Sequence, residues 1–232
     1  MGNFGLLLFL FFTLFFILFF SDSKVRTQNV KFVFINSSIL LGSISLILLA
    51  SLNFNHYFFK NIYFISSSQS IAIITILYFN RKNLIIREYK NIKFQKIGIV
   101  FILSIIFILL ITTIQEILGS SGSNALIGST KYNIIEKIIF YCLLPAIFEE
   151  LFFRELIFKK LLNVFTKRNT VIITAVLFYI FHLFELPFLV FIWLIPVGLF
   201  LGYIRVKYKN VFYSFFTHFL INFMVVVNFT YG

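Results

Sequence analysis

The chain has 232 residues, of which 60% are hydrophobic and 21% aromatic, and a net charge of +12; its mean hydropathy is +1.00. Soluble domains run at roughly 45–50% apolar and break their apolar runs with charge, so these figures exclude an ordinary water-soluble fold and make a lipid bilayer the expected solvent. The length favours one integral unit over two domains, and a single cysteine, Cys142, excludes an intramolecular disulfide.

In chain order, apolar runs predict helices at 4–20, 32–52, 61–79, 97–114, 134–158, 171–186, 188–204 and 211–229. About 20 apolar residues cross a hydrocarbon core. The expected fold class is therefore all-α, a polytopic transmembrane helical bundle of about eight spans. Seven is the main alternative, because Ser66-Ser67-Ser68-Gln69-Ser70 interrupts the third run and only residues 185–187 separate the sixth from the seventh. The first run has no basic stretch before it and no small-residue cleavage site after it, so a retained helix is expected rather than a signal peptide. Residues 1–232 read as one integral-membrane unit in which 1–133 supply four generic spans and a connecting loop.

The basic residues predict orientation through the excess of Lys and Arg in cytoplasmic loops. The first loop holds Lys24, Arg26 and Lys31, and the third holds Arg81, Lys82, Arg87, Lys90, Lys93 and Lys96. The fifth holds Lys159, Lys160, Lys167 and Arg168, and the seventh Arg205, Lys207 and Lys209. The even loops and their flanks hold only Lys60, Lys131 and Lys137. This alternation predicts a multi-pass protein of the cell membrane with cytoplasmic basic loops and both termini outside. It also excludes nucleic acid as the partner of the positive charge; anionic lipid headgroups are the expected one.

Ionisable residues inside the apolar runs carry the functional signal. A charge at the centre of a membrane helix costs about 2.5–3.5 kcal/mol on insertion scales, so it persists for a reason. The chain has eight acids and three histidines, and Glu149, Glu150, His182 and His218 all fall in the last four runs together with Arg154. At a rise of 1.5 Å per residue, Glu149, His182 and His218 lie about 15, 18 and 12 Å from their cytoplasmic flanks. Three helices thus bring a carboxylate and two imidazoles to similar depth. Glu150 and Arg154, four residues apart, share a face and can pair, whereas Glu149 is turned about 100° away from that face. His218 and Asn222 present an imidazole and an amide on one face, and Phe178 can pack one turn before His182. Cys142 reads as a small buried residue, and Glu155 reads as a residue near the cytoplasmic edge reaching for Lys159, without a role.

Glu149-Glu150-Leu151-Phe152-Phe153-Arg154 fits E-E-x-x-x-R, 178–182 fits F-x-x-x-H, and 218–222 fits H-x-x-x-N. In this order and spacing, with Gly198-Leu199-Phe200-Leu201-Gly202-Tyr203 ahead of the last, the chain resembles the CPBP (CAAX protease and bacteriocin-processing, or Abi) family of intramembrane proteases over 134–232. The resemblance implies that Glu149 acts as general base on water. It implies that Glu150 and Arg154 form a structural ion pair, that His182 positions the water or assists proton transfer, and that His218 and Asn222 donate to the developing oxyanion. Glu149, His182 and His218 also suit a three-ligand zinc site with an open water position. No H-E-x-x-H forces that choice, and glutamate-activated water is preferred. The expected partner is a membrane-embedded or membrane-associated peptide or protein, cleaved in bacteriocin self-immunity or peptide maturation.

Other chemistries fit less well. An aspartyl intramembrane protease needs two aspartates, and Asp22 is alone. Gly119-Ser120-Ser121-Gly122 matches the rhomboid tetrad but falls in the polar stretch 119–130, which reads as a loop. A transporter with a proton relay would show repeat symmetry and broken helices; only Pro145, Pro187 and Pro196 occur, with no evident repeat. The second functional class is a catalytically silent membrane scaffold or regulator of the same superfamily, weakened because every motif position is intact. Asn36-Ser37-Ser38 matches a glycosylation sequon but lies inside a predicted span.

Overall fold

A computed structural model describes residues 24–53, 62–83, 92–117, 133–182 and 188–231. The first apolar run, the stretch 119–130 with its Gly-Ser-Ser-Gly tetrad, and the turn at 185–187 lie outside the described residues. Those described are helical, with no strand among them. We number the helices α1 (Lys24–Asn53), α2 (Ile62–Phe79, followed by a 3-10 turn at Arg81–Asn83), α3 (Phe94–Ile117), α4 (the run 134–162), α5 (Lys167–His182), α6 (Phe188–Tyr208) and α7 (Val211–Tyr231). Each predicted run from 32–52 onward falls in one of these helices as far as it is described; residue 61 of the third run and 183–186 of the sixth lie outside the described residues.

The turns between them follow from local chemistry. Asn133 opens α4 with a reciprocal cap: its side chain accepts from the Glu136 N–H at 2.9 Å, while Glu136 accepts from the Asn133 N–H at 3.1 Å. Two orphan amides are thereby satisfied together. Lys209, at φ 54, ends α6 in the left-handed region. Asn210 then starts α7 by accepting from the Phe212 N–H at 2.9 Å. This two-residue link brings α7 back beside α6 and fixes the level at which His218 lies.

Helix α4 is not one regular α-helix. Its α-helical pieces Ile134–Lys137, Leu144–Glu150 and Phe158–Leu162 alternate with wider π turns at Ile138–Leu143 and Leu151–Ile157. Pro145 stands at the start of the middle piece, where a regular ladder would meet a missing N–H and a clashing ring. The π turn before it lets the chain continue without a break. Periodicity at 3.6 residues per turn does not anticipate either widening.

Packing centres on α4. It meets α1 and α2 on one side, α5 at its end and α7 along its first half; α5 lies extensively against α6, and α7 contacts α3, α4 and α6. Val33, Ile73, Phe152, Leu156, Leu177 and Leu201 belong to the main apolar cluster, and a smaller one joins Val100, Ile204 and Tyr213 where α3, α6 and α7 meet. The α5–α6 approach is close because Gly198 and Gly202 face α5. A Cβ on Gly198 would stand 3.0 Å from Ala175 Cα, and one on Gly202 would stand 2.9 Å from Val171 Cγ1. Small residues four apart that admit a neighbouring backbone are the recurrent device of packing in lipid.

Among the described residues, one stretch, Phe94–Ile114 in α3, is long and apolar enough by itself to cross a membrane. It is not a core helix. Ile102, Ile106 and Leu110 are 59%, 58% and 57% exposed, an apolar face that water would not tolerate over this length and that lipid would cover. The chain is accordingly a helical membrane protein; a count of eight spans goes beyond this observation.

Candidate active site

The residues singled out by sequence converge where α4, α5 and α7 meet. Glu150 and Arg154 form an ion pair buried from solvent, with Arg154 Nη1 3.4 Å from Glu150 Oε1. The same oxygen lies 3.1 Å from His218 Nδ1. Glu149, on the preceding residue and turned away from the pair, puts Oε2 3.6 Å from His182 Nε2 and 3.9 Å from His218 Nε2. His182 Nδ1 lies 2.8 Å from the Phe178 carbonyl one turn back in α5.

These contacts set the tautomers. A carbonyl only accepts, so His182 donates from Nδ1 and presents the Nε2 lone pair. An ionised Glu150 only accepts, so His218 likewise donates from Nδ1 and turns its Nε2 lone pair toward Glu149. Three acceptor atoms, Glu149 Oε2 and two imidazole Nε2, therefore face one another. Glu149 Oε2 has no hydrogen-bond partner although buried. A buried acceptor set of this kind calls for a donor among them, and a water molecule can donate two hydrogen bonds at once.

Zinc bonds of about 2.0–2.2 Å at a tetrahedral angle would separate ligand atoms by about 3.3–3.6 Å. The Glu149–His218 separation exceeds this, and among the described residues no group of three or more His, Cys, Asp or Glu side chains is arranged to hold a metal ion. The residues as they stand do not close on a metal, and no chemical step is assigned to one.

Asn222 is half-buried on α7, one turn beyond His218; among the described residues it is not hydrogen-bonded to the other side chains of the cluster. Phe178 does more than pack beneath His182. Its ring lies 4.5 Å from the His182 ring and 5.7 Å, edge-on, from that of His218, and the Arg154 guanidinium sits 4.7 Å above it. One aromatic thus keeps both imidazoles in place while its face receives the buried cation. Cys142 is fully buried, as a small core residue. Asn36, the sequon position, is buried within α1 and bound to Asn80 Nδ2 at 2.8 Å.

Two features are not legible from spacing. The Gly198 carbonyl accepts from Arg154 Nη2 at 3.4 Å, so the glycine that lets α5 approach also exposes an acceptor for the buried arginine. Arg205, which sequence assigns to a basic loop, is instead in α6 and only 6% exposed. It donates from Nε to the Arg154 carbonyl at 3.2 Å and reaches Glu155 Oε2 at 3.4 Å. Glu155, read as an edge residue without a role, is buried and pairs with Arg205 as well as with the expected Lys159. Burying Arg205 is tolerable because α4 brings a carboxylate to it; the acidic partner lies 50 residues earlier.

A carboxylate aimed with two imidazole acceptors at one point, in a helical membrane protein, defines a site suited to activating water for hydrolysis. Residues 131–224 match the family model described as type II CAAX prenyl endopeptidase Rce1-like. The matched segment is similar to the CPBP proteases and contains every motif position of the resemblance, Glu149, Glu150, Arg154, Phe178, His182, His218 and Asn222. Neither the curated proteins nor the solved structures give a match to the chain.

Proposed function

We propose that the protein is a multi-pass intramembrane endopeptidase that cleaves a membrane-associated peptide or protein with water activated by Glu149. The observation that carries the reading is the convergence of Glu149 Oε2 with His182 Nε2 and His218 Nε2, at 3.6 and 3.9 Å, around an acceptor without a partner. A water there donates to Glu149 and to an imidazole, leaving a lone pair for the scissile carbonyl carbon. As the C–O bond forms, the water proton passes to Glu149, and the carbonyl oxygen becomes an oxyanion to which the Asn222 amide, one turn beyond His218 on α7, donates. When the C–N bond breaks, Glu149 returns that proton to the departing amine. Glu150 and Arg154 orient His218 and stay out of the proton transfer.

The orientation follows the charge pattern. Contacts between helix ends gather the basic termini: Lys160 lies over Phe32 at the start of α1, the Lys93 N–H donates to Tyr213 at the start of α7, and Arg205 pairs with Glu155 near the end of α4. With that end cytoplasmic and both chain termini outside, cleavage falls in the cytoplasmic half of the bilayer. A substrate from bacteriocin self-immunity or peptide maturation suits such a site.

The test is Glu149→Gln in the full-length protein, reconstituted in lipid vesicles with a fluorogenic membrane-anchored peptide, beside Glu116→Gln at an exposed position of α3. Loss of activity by roughly a hundredfold or more is expected for the Glu149 variant and none for Glu116. Undiminished cleavage by Glu149→Gln sinks the assignment. Activity that survives chelation is expected; activity lost to a chelator and restored by zinc would move the mechanism to a metal. A folded, inserted wild type that cleaves nothing would favour a silent scaffold.

A further inference from the structure

Helix α6 holds Arg154 at two places. The Gly198 carbonyl accepts from its guanidinium at 3.4 Å, and two turns later Arg205 Nε donates to its main-chain carbonyl at 3.2 Å. Residues seven apart lie on nearly one helical face, so a single face of α6 grips the side chain and the backbone of the same residue. Arg205 is itself held by Glu155, 3.4 Å from Nη2, and Glu155 is paired with Lys159.

The place of the grip matters. Arg154 lies in the π turn Leu151–Ile157, and the following Phe158 N–H bonds to the Phe153 carbonyl, five residues back. Where a π turn gives way to an α turn, the backbone ladder passes over a carbonyl, which must find another donor if it is buried. The Arg205 guanidinium supplies a donor at this step. From Arg154 the contacts continue through Glu150 Oε1 at 3.4 Å to His218 Nδ1 at 3.1 Å, and from His218 Nε2 to Glu149.

We infer that Arg205, anchored by Glu155, is a positioning residue: it fixes the π turn in α4 and thereby the Arg154–Glu150–His218 chain that aims His218 at Glu149. This inference rests on the peptidase reading for its kinetic part and on the fold alone for its structural part. Arg205 touches none of the reacting atoms.

The experiment compares Arg205→Gln, Arg205→Lys and Glu155→Gln with wild type and Glu116→Gln, all as full chains in lipid vesicles. Arg205→Gln is expected to lower kcat per folded molecule roughly ten- to hundredfold with KM nearly unchanged, the size of effect that a small misplacement of reacting groups produces. Amide hydrogen exchange over 151–158 rises in the same variant. Lys keeps the charge but not the planar fork that reaches a carbonyl and a carboxylate together, so Arg205→Lys recovers little. In an Arg154→Lys background, Arg205→Gln adds less than its separate effect, since both act through one contact.

Unchanged kcat per folded molecule, with only yield or melting temperature reduced, would overturn the inference, as would full recovery by Lys or additivity with Arg154→Lys. Should Arg205→Gln not fold, Glu155→Gln removes only the anchor and is expected to act in the same direction more weakly; wild-type kcat and wild-type exchange in that variant would be equally decisive against it. Failure of the peptidase reading is seen separately, in Glu149→Gln. The exchange measurement still decides whether Arg205 holds the turn.

Discussion

At the residue scale, the Glu149-Glu150 dipeptide divides two tasks between adjacent carboxylates. Helical rotation separates them: Glu150 faces Arg154 and His218 Nδ1, and Glu149 faces the two Nε2 atoms. Sequence reading identifies the pair at i and i+4 from α-helical spacing, and the pair forms although the intervening turn is a π turn. What spacing leaves unseen is His218 bridging both carboxylates, because that contact spans 68 residues. A prediction follows from the burial of the ion pair. Glu150→Gln or Arg154→Met alone leaves a buried charge without its partner and is expected to cost about 3–5 kcal/mol. The double variant is expected to be less destabilised than the sum of the two, as read by thermal denaturation in detergent. Strict additivity would show that the two side chains do not act as a pair.

At the element scale, close approach and widened turns place these side chains. The glycines on α6 are not equivalent to those elsewhere. A Cβ on Gly198 meets the Ala175 backbone, which cannot give way, whereas nothing lies within 4 Å of the position a Cβ would take on Gly98 in α3. Gly198→Ala is therefore expected to lower the melting temperature and to disturb the site through its carbonyl contact with Arg154. Gly98→Ala is expected to be neutral or to stabilise α3 by about 0.5–1 kcal/mol, the usual gain from removing a helical glycine. A thermal shift of equal size and sign in both variants would contradict the close-packed crossing. Sequence shows that 198–203 matters by its likeness to a family pattern; the crossing with α5 supplies the physical reason. The π turns of α4 were not legible, since no residue pattern specifies a five-residue step, although Pro145 in an otherwise helical run marks where the ladder must change.

At the scale of the whole molecule, the exposed apolar face of α3 distinguishes a lipid surround from water. Ile102 and Leu109 point outward, 59% and 56% exposed. Ile102→Lys is expected to impair membrane insertion by about 2.5–3.5 kcal/mol on insertion scales, checked by a glycosylation-reporter or protease-protection assay. In a water-soluble protein the same change would be neutral or helpful, so unimpaired insertion would count against the lipid-facing assignment. The helix order is held by polar contacts as well as by apolar packing: Ser104 on α3 donates to Thr217 on α7 at 3.1 Å, next to His218. Such contacts tie the outer helix to the one that carries the imidazole.

Sequence by itself determined the helical class, the approximate place of each described run, and that Glu149, Glu150, Arg154, His182 and His218 lie within them; the helix ends it did not fix, since α1 starts at Lys24 and α6 runs to Tyr208. The three it determined follow from local physics: apolar length, charge placement and helical periodicity act within one segment. Tertiary structure alone decided the partners that lie on different helices. It turned Arg205 from a loop charge into a buried donor, gave Glu155 a second cation, made Phe178 a common support for Arg154 and both histidines, and aimed two Nε2 atoms at one oxygen. Each of these depends on which helices cross and at what level, and a crossing is a property of two distant segments that neither encodes alone.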